Sequence, residues 1–246
     1  MPKQMLRSND TIPSHYTHVA ACEQMTVCGC ARLHAMADWP DLLRSALGTG
    51  TIPIWMKLAY TVFVCVLVPV YWRHYGPANF LWFSDIALFV TLIALWLESS
   101  LLASMQAVSV VLLELVWTID FLARLIFKVE VTAISGYMFK REIPLFVRGL
   151  SLFHLWLPPL VLWIVYRLGY DRRAWLAQTL LMSAVLVLCY CCTDRSTNVN
   201  WVYGLWGKAQ SRFPPTMYLV LLMAAFSLCV YLPSHVLLLA IMPEPW

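Results

Sequence analysis

Residues 80–124 read FLWFSDIALFVTLIALWLESSLLASMQAVSVVLLELVWTIDFLAR, and the fold follows from how they are divided. Two apolar runs, 80–98 and 101–122, each come close to the roughly 20 residues that a helix needs to cross a hydrocarbon core. Only Glu98, Ser99 and Ser100 connect them, and a link that short makes an antiparallel helical hairpin. The runs are continuously apolar rather than alternating in short segments, which excludes a membrane β-barrel. Working outward, further apolar runs lie near 52–72, 144–167, 174–193 and 216–241. The expected fold is an all-α polytopic transmembrane helix bundle of about six spans, covering residues 51–246.

Composition agrees with that reading. The 246 residues are 61% hydrophobic and 12% charged, against about 25% charged in a soluble domain. Twelve Trp, eleven Tyr and eleven Phe suit a protein whose rings gather at the headgroup level. The net charge of +4 comes without a dense basic stripe, so nucleic acid is not an expected partner; the lipid bilayer is. Residues 1–50 are polar and mixed, and 1–35 read as extraneous if the chain starts at Met36. Cys22, Cys28, Cys30 and His34 fall there, without the paired C-x-x-C spacing of a zinc site. Cys65, Cys189, Cys191, Cys192 and Cys229 lie in or beside apolar runs and read as packing residues, so no metal or other cofactor is expected.

Counting back and forward from the Ser99/Ser100 tip at about 1.5 Å per residue pairs positions of equal depth: Asp85 with Glu114, Trp82 with Trp117, Asn79 with Asp120. Carboxylates in a bilayer cost about 2.5–3.5 kcal/mol each and turn inward to find partners, so Asp85 and Glu114 are expected to share a proton. Asp120 and Arg124 stand four residues apart in the favourable order for a local ion pair. In the fourth run Arg148, Ser151 and His154 precede Pro158 and Pro159, which cannot donate to the carbonyls of His154 and Leu155, so a polar pocket is expected around His154. Following six spans back and forth, Asn79, Asp85, Glu114, Asp120, Arg124, Arg148, Ser151 and His154 fall in one half of the membrane. Asp194, Asn198, Asn200, Trp201 and Tyr203 follow the fifth run as a candidate lid over that site. Pro233 and His235 sit near the opposite face, where water is expected to satisfy the imidazole. The site face carries nine Lys/Arg and the other eight, which by the positive-inside rule turns the site to the cytoplasm.

The two halves share faint features: Tyr71 before Tyr75-Gly76 parallels Tyr166 before Gly169-Tyr170, the kind of recurrence an inverted-repeat transporter carries. The stretches YGPANFLWFSDIALF (75–89), RGLSLFHLWLPPLVLWIVYRLGYDRR (148–173) and NVNWVYG (198–204) resemble a family of uncharacterised bacterial membrane-associated proteins. That resemblance covers about residues 51–241 and implies a multi-pass protein of a bacterial inner membrane, with no activity to carry over. Zinc-protease, nucleophile-elbow, phosphate-loop and Rossmann motifs are all absent from the sequence. Three function classes stay open: transport or binding of a small molecule or lipid, a membrane-embedded enzyme acting on a lipid, and a structural subunit. An enzyme would use His154 as base, Asp120 or Glu114 to orient it, and Arg148 or Arg124 to hold a phosphate.

Overall fold

The computed structural model describes residues 51–132, 134–205 and 208–244, so the cysteines and histidine of the N-terminal segment lie outside the described residues. Among those described, every regular element is helical. In chain order these are α1 (Ile54–Tyr75), α2 (Phe83–Leu97), α3 (Ser100–Phe127), α4 (Leu145–Leu150), α5 (Phe153–Leu168), α6 (Ala174–Cys192), α7 (Pro215–Ala225) and α8 (Leu232–Ile241). A π-helical turn, Phe226–Tyr231, joins α7 to α8, and short 3₁₀ turns lie at Pro77–Leu81, Gly136–Phe139 and Val199–Trp201. Four stretches are long and apolar enough to cross a membrane: Ile54–Tyr75, Leu145–Leu168, Ala174–Cys192 and Pro215–Ile241. α2 is a shorter apolar helix of 15 residues.

α3 is the axis of the bundle. It packs against α2, α5, α6 and α8, and every residue from Ala103 to Val110 is buried. Polarity runs inside out: Trp55, Val62, Leu97, Phe127, Leu145 and Val220 face outward while Lys57, Asp85, Gln106, Glu114 and Gln178 are buried. An apolar exterior with ionisable and amide side chains turned in among the apolar core is the distribution that a hydrocarbon surrounding favours. Four of the cysteines read as packing residues belong to that exterior, since only Cys189 is buried and Cys65, Cys191, Cys192 and Cys229 are exposed. The correction has a simple cause, because an apolar residue on a helix whose exterior is itself apolar is at home on either face.

The hairpin tip is a clamp as well as a turn. Glu98 ends α2 in the left-handed region (φ 48°), and the Ser99 hydroxyl accepts the Leu102 N–H at 3.3 Å to cap α3. The Glu98 carboxylate then accepts N–H bonds from Thr51 at 2.9 Å and Ile52 at 3.2 Å, and an ion pair from Lys57 at 2.8 Å. Carboxylate and ammonium thus hold the start of α1 against the tip, with a negative charge at the positive end of the α1 dipole. Lys57 is fully buried, which hydropathy alone did not foretell.

In the π turn Ser227 O accepts both the Leu232 N–H and, at 3.2 Å, the Trp175 indole N–H, and the Ser227 and Thr179 hydroxyls meet at 3.0 Å. His235 has a protein partner at one ring nitrogen, its Nδ1 standing 2.6 Å from the Tyr170 hydroxyl. Gly76 and Gly169, set side by side by the suggested repeat, close α1 and α5 in one backbone region (φ 79° and 82°).

Glu98→Ala is expected to lower stability by roughly 3 kcal/mol, since a buried ion pair loses one partner. The check is the thermal midpoint of the full chain in detergent, and an unchanged midpoint would overturn the clamp.

Candidate functional site

His154 stands where helical bonding is interrupted. At Ser151 and Leu152 the backbone turns to ψ −9° and −2°, and α5 starts afresh at Phe153, with the His154 N–H bonded to Ser151 O at 3.3 Å. The interruption falls about two turns before Pro158 and Pro159, both of which sit inside α5. The imidazole therefore occupies the first turn of a helix, with its ring stacked on Trp117 (centroids 4.5 Å apart) and on Phe153 (4.2 Å).

Its partner is Glu114 of α3. Glu114 Oε2 lies 2.5 Å from His154 Nδ1, and both side chains are nearly buried. The expected sharing of a proton between Asp85 and Glu114 gives way to this contact, because α5 brings an imidazole to Glu114 whereas Asp85 is taken by Asn79 (Nδ2 to Oδ2, 3.2 Å). With Nδ1 engaged by a carboxylate, Nε2 is the nitrogen left without a partner among the described residues. That is the arrangement in which a carboxylate orients an imidazole for proton transfer.

Two cavities meet at His154. One, about 230 Å³, is lined by polar and aromatic groups including Tyr75, Asn79, Asp85, Trp117, Ser151 and His154. The other, about 330 Å³, is walled mainly by apolar side chains, among them Val110, Leu113, Val116, Leu222, Phe226 and Val230. Trp82, Ser84, Trp117, Ile134 and His154 line both. Around the polar cavity Asp85 Oδ1, the Tyr75 hydroxyl and the Trp117 indole nitrogen are buried without a hydrogen-bond partner. Each such orphan costs about 1–3 kcal/mol unless water or a ligand meets it. The apolar cavity opens sideways, since Val116 on α3 and Ala225 and Cys229 on the last span are exposed.

The remaining predicted residues divide by what they touch. Ser151 belongs to the polar cavity and shares a 2.6 Å hydroxyl contact with Tyr71. Asp120 is not the ion-pair partner of Arg124: its two oxygens accept the N–H groups of Val131 (3.0 Å), Thr132 (2.7 Å) and Ser135 (3.0 Å) and the Ser135 hydroxyl (2.5 Å). One loop thus fills the carboxylate with four donors, and Arg124 pairs with Glu130 at 2.8 Å instead. Arg148 is turned away from both cavities and donates to Met138 O at 2.9 Å, so the phosphate-holding role has no geometric footing there. Asp120 and Arg148 together fix the connection between α3 and α4, from which Ile134 and Tyr137 reach the polar cavity.

The lid residues form a pinned loop. Asn200, at φ 51°, accepts the Phe83 N–H at 3.1 Å and donates to Leu81 O at 2.7 Å, supplying from afar the N-cap that Trp82 does not give α2. Asn198 holds the loop through Gly204 O (2.7 Å) and Tyr203 N (2.9 Å), and the Tyr203 hydroxyl reaches Tyr190 O at 2.8 Å. Trp201 lies parallel to Phe226 at 6.3 Å. Asn200 and Trp201 wall the apolar cavity, whereas Asn198 and Tyr203 do not, and Asp194 is exposed. Sequence reasoning missed Tyr71, Tyr75 and Tyr137 as site residues; their only signal was tyrosine close to apolar runs, which any interfacial belt also gives.

Asp120→Ala is expected to speed amide hydrogen exchange at Val131, Thr132 and Ser135 by at least about tenfold, consistent with the loss of charge-assisted bonds. Arg124→Ala, which removes a pair that includes an exposed Glu130, should leave those amides nearly unchanged. Equal protection in the two variants would refute the anchoring role. Comparison of the chain with protein-family models, with curated proteins and with solved structures returns no match, so the functional reading rests on this geometry.

Proposed function

We propose that the chain is a six-span protein of a bacterial cytoplasmic membrane that binds an amphipathic, lipid-like small molecule entering from the side. The observation that carries the proposal is the pair of cavities meeting at His154, one polar with orphaned donors and acceptors, one apolar and open between α3 and the last span. A head group satisfies the orphaned atoms of the first while a chain occupies the second. Binding of this kind is also the step from which transport starts. Six crossings are supported by the succession α1, α2, α3, α4–α5, α6 and α7–α8, in which α3 has 28 residues. α2 spans only about 22 Å by helical rise and is extended at its start by the Pro77–Leu81 turn. A purely structural subunit has no need of a cavity with unpartnered polar atoms in its wall.

A second reading has its own observation. The contact between Glu114 and His154 leaves Nε2 as a proton acceptor beside both cavities, so the bound molecule stands where a general base can act on its head group. His154 would then be the catalytic residue and Glu114 the residue that positions it.

Cys229→Trp, placed at the mouth of the apolar cavity, is expected to cut the amount of lipid co-purified with the full chain several-fold without lowering its thermal midpoint. Mass spectrometry of the extracted lipid reads this, and undiminished lipid would refute lateral binding. His154→Gln should retain the bound lipid; if a chemically altered lipid found with the wild type disappears in this variant, the enzyme reading stands, and identical lipid in both removes it.

A further inference from the structure

The lining of the polar cavity is unbalanced in charge. Asp85 contributes a carboxylate that is 3% exposed, with Oδ2 held by Asn79 and Oδ1 buried without a partner. Glu114 is matched with His154, so the pair needs nothing further. Neither cavity has a Lys or Arg in its lining. Of the basic groups before and after it in the chain, Arg73 and His74 are exposed, Arg124 pairs with Glu130, and Arg148 donates to Met138 O. An ionised Asp85 therefore lacks a counter-cation, and a buried carboxylate left alone is strongly unfavourable.

Aromatic rings make up much of the remaining wall. Tyr71, Tyr75, Trp82, Trp117, Tyr137 and Phe153 line the same cavity as Asp85. Trp82 has no ring contact among the described residues, whereas Trp117 is stacked on Phe121 (5.1 Å) and on His154. A carboxylate set among tyrosine and tryptophan rings, with no competing cation, is the chemistry that recognises an ammonium head: charge from the carboxylate, cation–π attraction from the ring faces. A phosphate or carboxylate head would instead meet Asp85 with no guanidinium or ammonium in the lining to offset the repulsion.

The geometry points to an organic cation as the ligand of this site: an amphiphile whose amine or quaternary ammonium head pairs with Asp85 inside the aromatic wall of the polar cavity. This rests on the amphiphile-binding reading and adds the class of head group. The apolar cavity takes the chain, and the shared residues Trp82 and Trp117 lie where head meets chain.

The test uses the full chain in nanodiscs of a zwitterionic phospholipid, with three probes of one chain length: dodecyltrimethylammonium, a dodecyl ether of oligoethylene glycol, and dodecyl phosphate. Native mass spectrometry and quenching of tryptophan fluorescence read their binding. Dodecyltrimethylammonium is expected to bind at least about tenfold more tightly than the neutral ether, with the phosphate weakest. Asp85→Asn should abolish that preference while Asp85→Glu keeps it. Equal binding of the three probes by the wild type overturns the head-group assignment and leaves amphiphile binding intact; tighter binding of the phosphate does the same. Binding of none of them overturns both. The wild-type ranking decides without any variant, so an Asp85→Asn chain that fails to fold leaves the test standing.

Discussion

The contact between Glu114 and His154 is the interaction around which the rest of the site is arranged. It joins α3, the axis of the bundle, to the first turn of α5, and it gives each of two ionisable groups a partner inside apolar surroundings, where isolation is costly. Placing the imidazole there requires the chain to break its helical bonding at Ser151 and Leu152. That break turns α4 into a separate short helix and lets Ser151 meet Tyr71 of α1. That one contact thereby sets where three helices converge, and the space between them is the polar cavity.

Once Glu114 is matched, Asp85 becomes the odd charge. Its environment is tied together from several directions: Asn79 from the 3₁₀ turn before α2, Tyr71 and Tyr75 from the end of α1, Tyr137 from the connection held by Asp120 and Arg148, and the loop pinned by Asn200 over the start of α2. Three of these tethers end on backbone or on a filled carboxylate, namely Asn200 at Phe83 and Leu81, Arg148 at Met138 and Asp120 in its loop, and they hold the wall of the cavity in place. Orphaned polar atoms persist in its wall because rigid surroundings leave them no partner within the protein. The Glu98 clamp plays the same organising part at the other end of the hairpin, where a buried lysine is held by a carboxylate that also fastens the start of α1.

The fold was legible in the sequence to a large degree. The apolar runs near 52–72, 144–167, 174–193 and 216–241 fall within a few residues of the four helical stretches long enough to cross a membrane, and the tip at Ser99 is where α3 begins. Counting depth along the hairpin also brought Trp82 and Trp117 together, and both line the two cavities. Depth is readable because helical rise is nearly constant, whereas direction around the helix axis is set by neighbours. Asp85 and Glu114 were matched in depth and still found different partners, since α5 offered an imidazole to one of them.

Sequence by itself determined the all-helical class, the hairpin, the helical stretches and the set of ionisable groups that had to be explained, because hydrophobic run length and the cost of intramembrane charge act locally along the chain. Tertiary structure alone decided the pairings. Asp120 went to its loop rather than to Arg124, Arg148 went to a carbonyl rather than to a ligand, and Lys57 disappeared into the interior beside Glu98. Hydrogen bonds saturate and are directional, so a carboxylate goes to whichever donors the packed backbone brings within about 3 Å. No one-dimensional pattern records that distance.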